Sequence, residues 1–113
     1  MIIPDEVHIG SVTYKVGSKT PLVDGAQVLR GQTDHFKEEV WLDSSLLEDQ
    51  MATTFFHEMV HVVDAVGALG LSEQQTEVFA NLLMEVTRRN NLDWRKPEDA
   101  KEKLKELKME LNS

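Results

Sequence analysis

Apolar and polar residues alternate near the start of the chain: Val7 and Ile9 flank His8, and Val12, Tyr14 and Val16 flank Thr13 and Lys15, with Gly10-Ser11 between the two runs. A period of two turns one face of each run toward a core, and a two-residue turn joins them, so a β-hairpin is predicted. A second, weaker pair is predicted from Ala26, Val28 and Leu29 before Gly31 and from Glu39 to Leu42, joined by the polar stretch Gln32 to Lys37. Together these make three or four antiparallel strands over about residues 7–42.

The period changes after Ser45. Met51, Phe55, Met59, Val62 and Val66 form one stripe at helical spacing, and Ala52, Phe56, Val60 and Val63 form its neighbour. Ser45 with Glu48 fits a capping box and Gly67 a stop, which predicts a long helix over about 45–66. Ser72 caps a second predicted helix, about 72–90, whose apolar face is Val78, Phe79, Leu82, Leu83 and Val86. Pro97 opens a third over about 97–112, with Ala100, Leu104, Leu107 and Leu111 in a narrow stripe among Lys and Glu.

The 113 residues suit one domain with one core, and a composition 41% hydrophobic and 28% charged is that of a folded globular protein. A net charge of −8 repels nucleic-acid phosphate and anionic membrane surfaces, so neither is an expected partner. Cysteine is absent, which excludes disulfides and thiolate metal sites and suits a reducing cytoplasm. MIIPDEVHIG carries an acidic pair where a signal peptide needs positive charge, and no apolar run is long enough to cross a bilayer. A soluble cytoplasmic protein is expected.

The chemistry lies in the long helix, as His57-Glu58-Met59-Val60-His61. A spacing of four sets both imidazoles on one face within reach of a single ion, which is the HExxH arrangement for zinc. Glu58, turned about 100 degrees from His57, can reach a metal-bound water as general base. On the helical wheel the two histidines fall opposite the apolar stripes, with Gln50, Thr53, Thr54 and Asp64; the plainer alternative is two solvated histidines on an amphipathic helix.

Zinc needs a third protein ligand, and without cysteine the candidates are His8, His35 or a downstream carboxylate. Glu77, on the border of the second helix's polar face and followed four residues later by Asn81, is the predicted ligand; Glu73, one turn earlier, competes with it. Asp64 lies about 10 Å along the axis from His57 and is assigned no ligand role; it either supports His61 by a hydrogen bond or is solvated. Tyr14 and His35 are the upstream candidates for an oxyanion stabiliser, but neither has a positional argument and both stay outside the predicted site.

The segments TTFFHEMVHVVDAVG and LSEQQTEVFANLL resemble the zincin metallopeptidases, and more narrowly the small phage- and prophage-associated proteins related to the ImmA/IrrE type. The resemblance covers about residues 31–86. It implies a minimal zincin fold and a Zn2+ cofactor. It also implies His57, His61 and Glu77 as metal ligands and Glu58 as catalytic base. Glu77 followed by Asn81 resembles the gluzincin pattern of glutamate and aspartate four apart, with Asn in place of Asp. A protein or peptide substrate is implied as well, added as a strand to a sheet edge expected at Glu38 to Leu42.

The expected architecture is thus α+β, a small antiparallel sheet packed on the HExxH helix, a second helix completing the site and a third closing the domain. The expected function is zinc-dependent peptide-bond hydrolysis. The alternative is a non-catalytic zinc-binding interaction module of phage or prophage origin, whose metal would be filled by four protein ligands.

Overall fold

The computed structural model describes residues 3–90 together with Leu92 and Leu107. The predicted first hairpin is present: β1 (Glu6–Ile9) pairs antiparallel with β2 (Val12–Lys19), Val7 opposite Tyr14 and Ile9 opposite Val12. Gly10 makes the turn at φ 58°, a conformation that glycine adopts without Cβ strain.

The next strands depart from expectation. β3 (Val23–Asp24) and β4 (Gln27–Val28) form a separate two-stranded ribbon, so Ala26 to Leu29 do not pair with Glu39 to Leu42. The antiparallel partner of β6 (Glu39–Asp43) is instead β5 (Gly31–Asp34), drawn from the stretch expected to be a polar connection. The sheet has the order β1-β2-β6-β5 and is mixed rather than antiparallel, because β6 runs parallel to β2. A parallel pair needs a crossover of a dozen or more residues, and residues 20–38 supply it. Register is anchored where Gly17 faces Trp41: a Cβ on Gly17 would lie 2.7 Å from the indole ring, and the Lys19 ammonium sits 4.7 Å from the ring centroid.

Two helices follow. α1 (Glu48–Gly67) starts later than predicted, with Leu47 at the cap and the Gln50 side chain accepting the Leu47 N–H at 3.3 Å. Ser45 is not its cap: both its N–H and its hydroxyl donate to Asp43, at 2.8 and 2.7 Å, which folds the connection out of β6. The left-handed residue that ends α1 is Ala68, one past the predicted Gly67. α2 (Glu73–Arg89) has the expected cap, with the Gln75 N–H donating to Ser72 Oγ at 3.1 Å and the Gln75 side chain accepting from Ser72 N–H at 2.9 Å. The helix predicted over about 97–112 lies outside the described residues, apart from Leu107.

Apolar side chains sort into two packed layers. Tyr14, Val40 and Val62, with Ile9, Val12, Val16 and Met59 around them, fill the space between sheet and α1. Phe56, Val60 and Ala80, with Leu71 and Met84, join α1 to α2. The helices run antiparallel, as the Arg88–Asp49 ion pair at 3.1 Å and the Thr53 hydroxyl on Met84 Sδ at 3.2 Å set out. The apolar face predicted for α2 is not the buried one: Val78, Phe79, Leu82, Leu83 and Val86 are all exposed, and Thr76 and Ala80 are buried instead. Small side chains at 76 and 80 let the helices approach closely, and that requirement outweighs the larger apolar stripe. Val63 and Val66 of α1, also predicted as core, are exposed as well. No described helix is long and apolar enough to cross a membrane.

Asp43 holds the β6–α1 connection as a carboxylate. Hydrogen bonds from the side chain and backbone of Ser45 lower its pKa below the usual carboxylate range. A lowered folded-state pKa contributes stability that is present above the unfolded value and lost as pH falls through the folded one. Asp43→Asn should therefore be less stable than wild type at pH 7, and the gap between them should close below about pH 4 in urea-denaturation series. A gap independent of pH would contradict this role.

Candidate metal centre

Twenty residues of α1 carry the HExxH segment between the sheet on one side and α2 on the other. His57 and His61, one turn apart, bring their Nε2 atoms within 3.1 Å of each other, with the rings edge to face. Glu73, the first residue of α2, reaches both from across the helix pair: its carboxylate oxygens lie 2.8 Å from His57 Nε2 and 3.5 Å from His61 Nε2. These atoms form the one such group among the described residues, all within 4.8 Å of one another.

The spacing fits a cation. Ligand atoms about 2.0–2.1 Å from a tetrahedral zinc are separated by about 3.3 Å; the two imidazole nitrogens lie 3.1 Å apart, and different oxygens of Glu73 approach them at 2.8 and 3.5 Å. Two imidazoles and one carboxylate are the donor set that zinc takes in catalytic sites with three protein ligands.

The carboxylate that converges with the two histidines is that of Glu73, the competing candidate, rather than that of Glu77. Glu77 stands one turn further along α2 and lines an adjoining cavity of about 260 Å³ with Arg30, Thr53, Thr54 and Asn81. Asp64 supports neither histidine; its Oδ1 accepts the Leu71 N–H at 3.1 Å and so ties the entry of α2 to the end of α1, which holds Glu73 within reach. The histidine face is also less open than the helical wheel suggests, each imidazole being about a quarter exposed because β5 and α2 flank it.

Glu58 is 6% exposed, buried between α1 and the sheet edge. Its Oε2 accepts a 2.5 Å hydrogen bond from the Thr33 hydroxyl on β5. The approach of strand and helix here depends on Gly31: a Cβ would meet Thr54 Cγ2 at 2.6 Å and both Glu58 Cγ and Oε1 at 3.1 Å. A second cavity, about 290 Å³, is lined by Thr33, His35, His57, Glu58, His61 and Glu73 among others. The two cavities share Gly31, His57 and Glu58, so open space runs along β5 on both sides of the HExxH residues.

Gly31, Thr33 and His35 therefore belong to the site, though none was placed there from the sequence. His35 was a candidate on residue type alone, and for Gly31 and Thr33 the sequence signal was a glycine opening a short polar run, which marks close backbone approach as readily as a turn. His8, another candidate ligand, is remote from the site in hydrogen-bonding terms, its Nδ1 being paired with Thr13 Oγ1 at 2.9 Å in the first hairpin.

No protein-family model, no curated protein and no solved structure matches the chain.

Competitive zinc titration should find one zinc per wild-type chain. His57→Ala and Glu73→Ala should each weaken it by more than the 10- to 100-fold that removal of a supporting residue costs, and Glu77→Ala by far less. Loss of zinc on Glu77→Ala with retention on Glu73→Ala would reverse the ligand assignment. Separately, Gly31→Ala should destabilise the fold by about 1–3 kcal/mol through overpacking against Thr54 and Glu58. An unchanged urea midpoint would show that β5 can yield without cost.

Proposed function

We propose that the chain is a zinc-dependent peptidase, with His57, His61 and Glu73 holding the ion and Glu58 as general base. The observation that carries this reading is the convergence of three donor atoms beside a buried carboxylate whose orientation is fixed from a neighbouring strand. A zinc ion bound there would polarise a scissile carbonyl and acidify a bound water.

The remaining work falls to the protein's own groups. Thr33 holds Glu58 Oε2, which leaves Oε1 to take a proton from the attacking water and pass it to the departing amine. Burial of Glu58 keeps competing water from its oxygens. The sheet supports a peptide as the substrate class. β6 is interior, so the edge expected at Glu38 to Leu42 is not available, and among the described residues the open edge next to the histidines is β5. An extended peptide can add to such an edge through main-chain hydrogen bonds, beside the cavities on either side of Glu58.

The rival reading, a zinc-stabilised interaction module, draws support from the exposed apolar residues of α2. It calls for a metal filled by protein ligands, whereas three donors converge among the described residues. The peptidase reading accounts for Glu58 and Thr33 as well, and is preferred for that reason.

The test is Glu58→Gln, which keeps the size of the side chain and removes the base. Zinc content should stay at one per chain while hydrolysis of a fluorogenic peptide mixture falls by about 10²- to 10⁴-fold. Full activity in that variant would reject the mechanism, and a wild type that binds zinc but cleaves nothing would favour the interaction module.

A further inference from the structure

Tyr14 is 3% exposed and packs with Val40 and Val62, yet its hydroxyl reaches out of that core to His35, in the turn after β5. The hydroxyl oxygen and His35 Nδ1 are 2.9 Å apart, and the rings meet edge to face with centroids 6.0 Å apart. The turn itself is held by Asp34, whose Oδ1 accepts the N–H groups of Phe36 and Lys37, both at 3.0 Å. An exposed histidine is thus fixed at both its backbone and its ring, on the wall of the cavity that also contains His57, Glu58 and Glu73.

The direction of the one hydrogen bond between the Tyr14 hydroxyl and His35 Nδ1 goes with the tautomer of the ring. Burial, followed by the nearby charge of Glu38, raises the pKa of the phenol, which remains an O–H donor. A phenol donating to Nδ1 makes that nitrogen the acceptor and leaves the ring proton on Nε2. His35 is not one of the three converging donors, so its Nε2 remains available to a ligand in the cavity.

We propose that His35 is a catalytic residue whose Nε2–H donates a hydrogen bond to the carbonyl oxygen of the scissile peptide, and that Tyr14 is the positioning residue that fixes its tautomer. The proposal rests on the peptidase reading above. As the water oxygen bonds to the carbonyl carbon, the C=O π pair moves onto the carbonyl oxygen, where the His35 hydrogen bond strengthens without transfer of its proton. The pair returns as the C–N bond breaks, and the amine leaves with the proton that Glu58 took from the water.

The experiment uses the zinc-loaded full chain and has two readouts that need no turnover. Two-bond 1H–15N correlation spectra should give the Nε2–H tautomer for His35, converting to a mixture in Tyr14→Phe. A dipeptide phosphonate, tetrahedral and anionic where the carbonyl oxygen would be, should bind wild type about 10²- to 10³-fold more tightly than His35→Ala, with zinc affinity unchanged between the two. His35→Gln, which retains an N–H donor, should recover part of that loss. In peptide hydrolysis, His35→Ala should lower kcat by a similar factor and leave KM nearly constant. An Nδ1–H tautomer in wild type, equal phosphonate affinity, no phosphonate binding at all, or zinc loss in His35→Ala would each overturn the proposal. A wild type that cleaves no peptide but binds phosphonate through His35 would remove the peptidase reading and leave the donor role standing.

Discussion

The contact between β5 and α1 at Gly31 governs everything else in this molecule. A strand carrying a side chain at that position could not come close enough for the Thr33 hydroxyl to hold Glu58. Without that hold, the carboxylate would be buried with no hydrogen bond to offset its desolvation, at a penalty of several kcal/mol. The same approach brings the turn that bears His35 to the imidazoles and forms the walls of both cavities. Backbone proximity at one residue thereby fixes a buried carboxylate, a cavity and the flank of the candidate metal cluster together.

Charge supplies the complementary constraint. The chain carries a net −8, and the site gathers two carboxylates, Glu58 and Glu73, around two imidazoles that are largely removed from solvent. Such a collection gains from a divalent cation, which neutralises the carboxylates and uses the imidazole lone pairs. Any ion that binds this folded arrangement and not the unfolded chain also stabilises the fold by mass action, so metal affinity and stability are linked.

How much of this could be read from residues alone differs between elements. The first hairpin was legible because Val7, Ile9, Val12 and Tyr14 alternate about a glycine turn, and α2 began where Ser72 and Gln75 place it. The HExxH spacing named His57 and His61, and a period of 3.6 residues suffices to set them together. β5 was illegible, since Gly31-Gln32-Thr33-Asp34 has no apolar alternation. It faces a site rather than a core, and a strand of that kind is chosen for approach and polarity. Glu73 and Glu77 share one helix, and choosing between them required the path of the α1–α2 turn, which Asp64 sets by bonding the Leu71 N–H. The buried face of α2 was misjudged for a related reason: size suggested Phe79 and Leu82, whereas helix packing selected Thr76 and Ala80.

The parallel pairing of β2 with β6 has a consequence for the order of assembly. Among the described residues β5 has one neighbour in the sheet, β6, and β6 joins β2 only after residues 20–38 have closed into a loop. Closure of that loop is an entropic cost met before any contact of β5 repays it. The hairpin and the two helices form from neighbours in sequence; the strand that carries Thr33 and leads to His35 does not. It follows that Thr33 and His35 join the helices late in folding, and a chain caught short of that step holds its helices and first hairpin but leaves the Glu58 side chain without its Thr33 hydrogen bond.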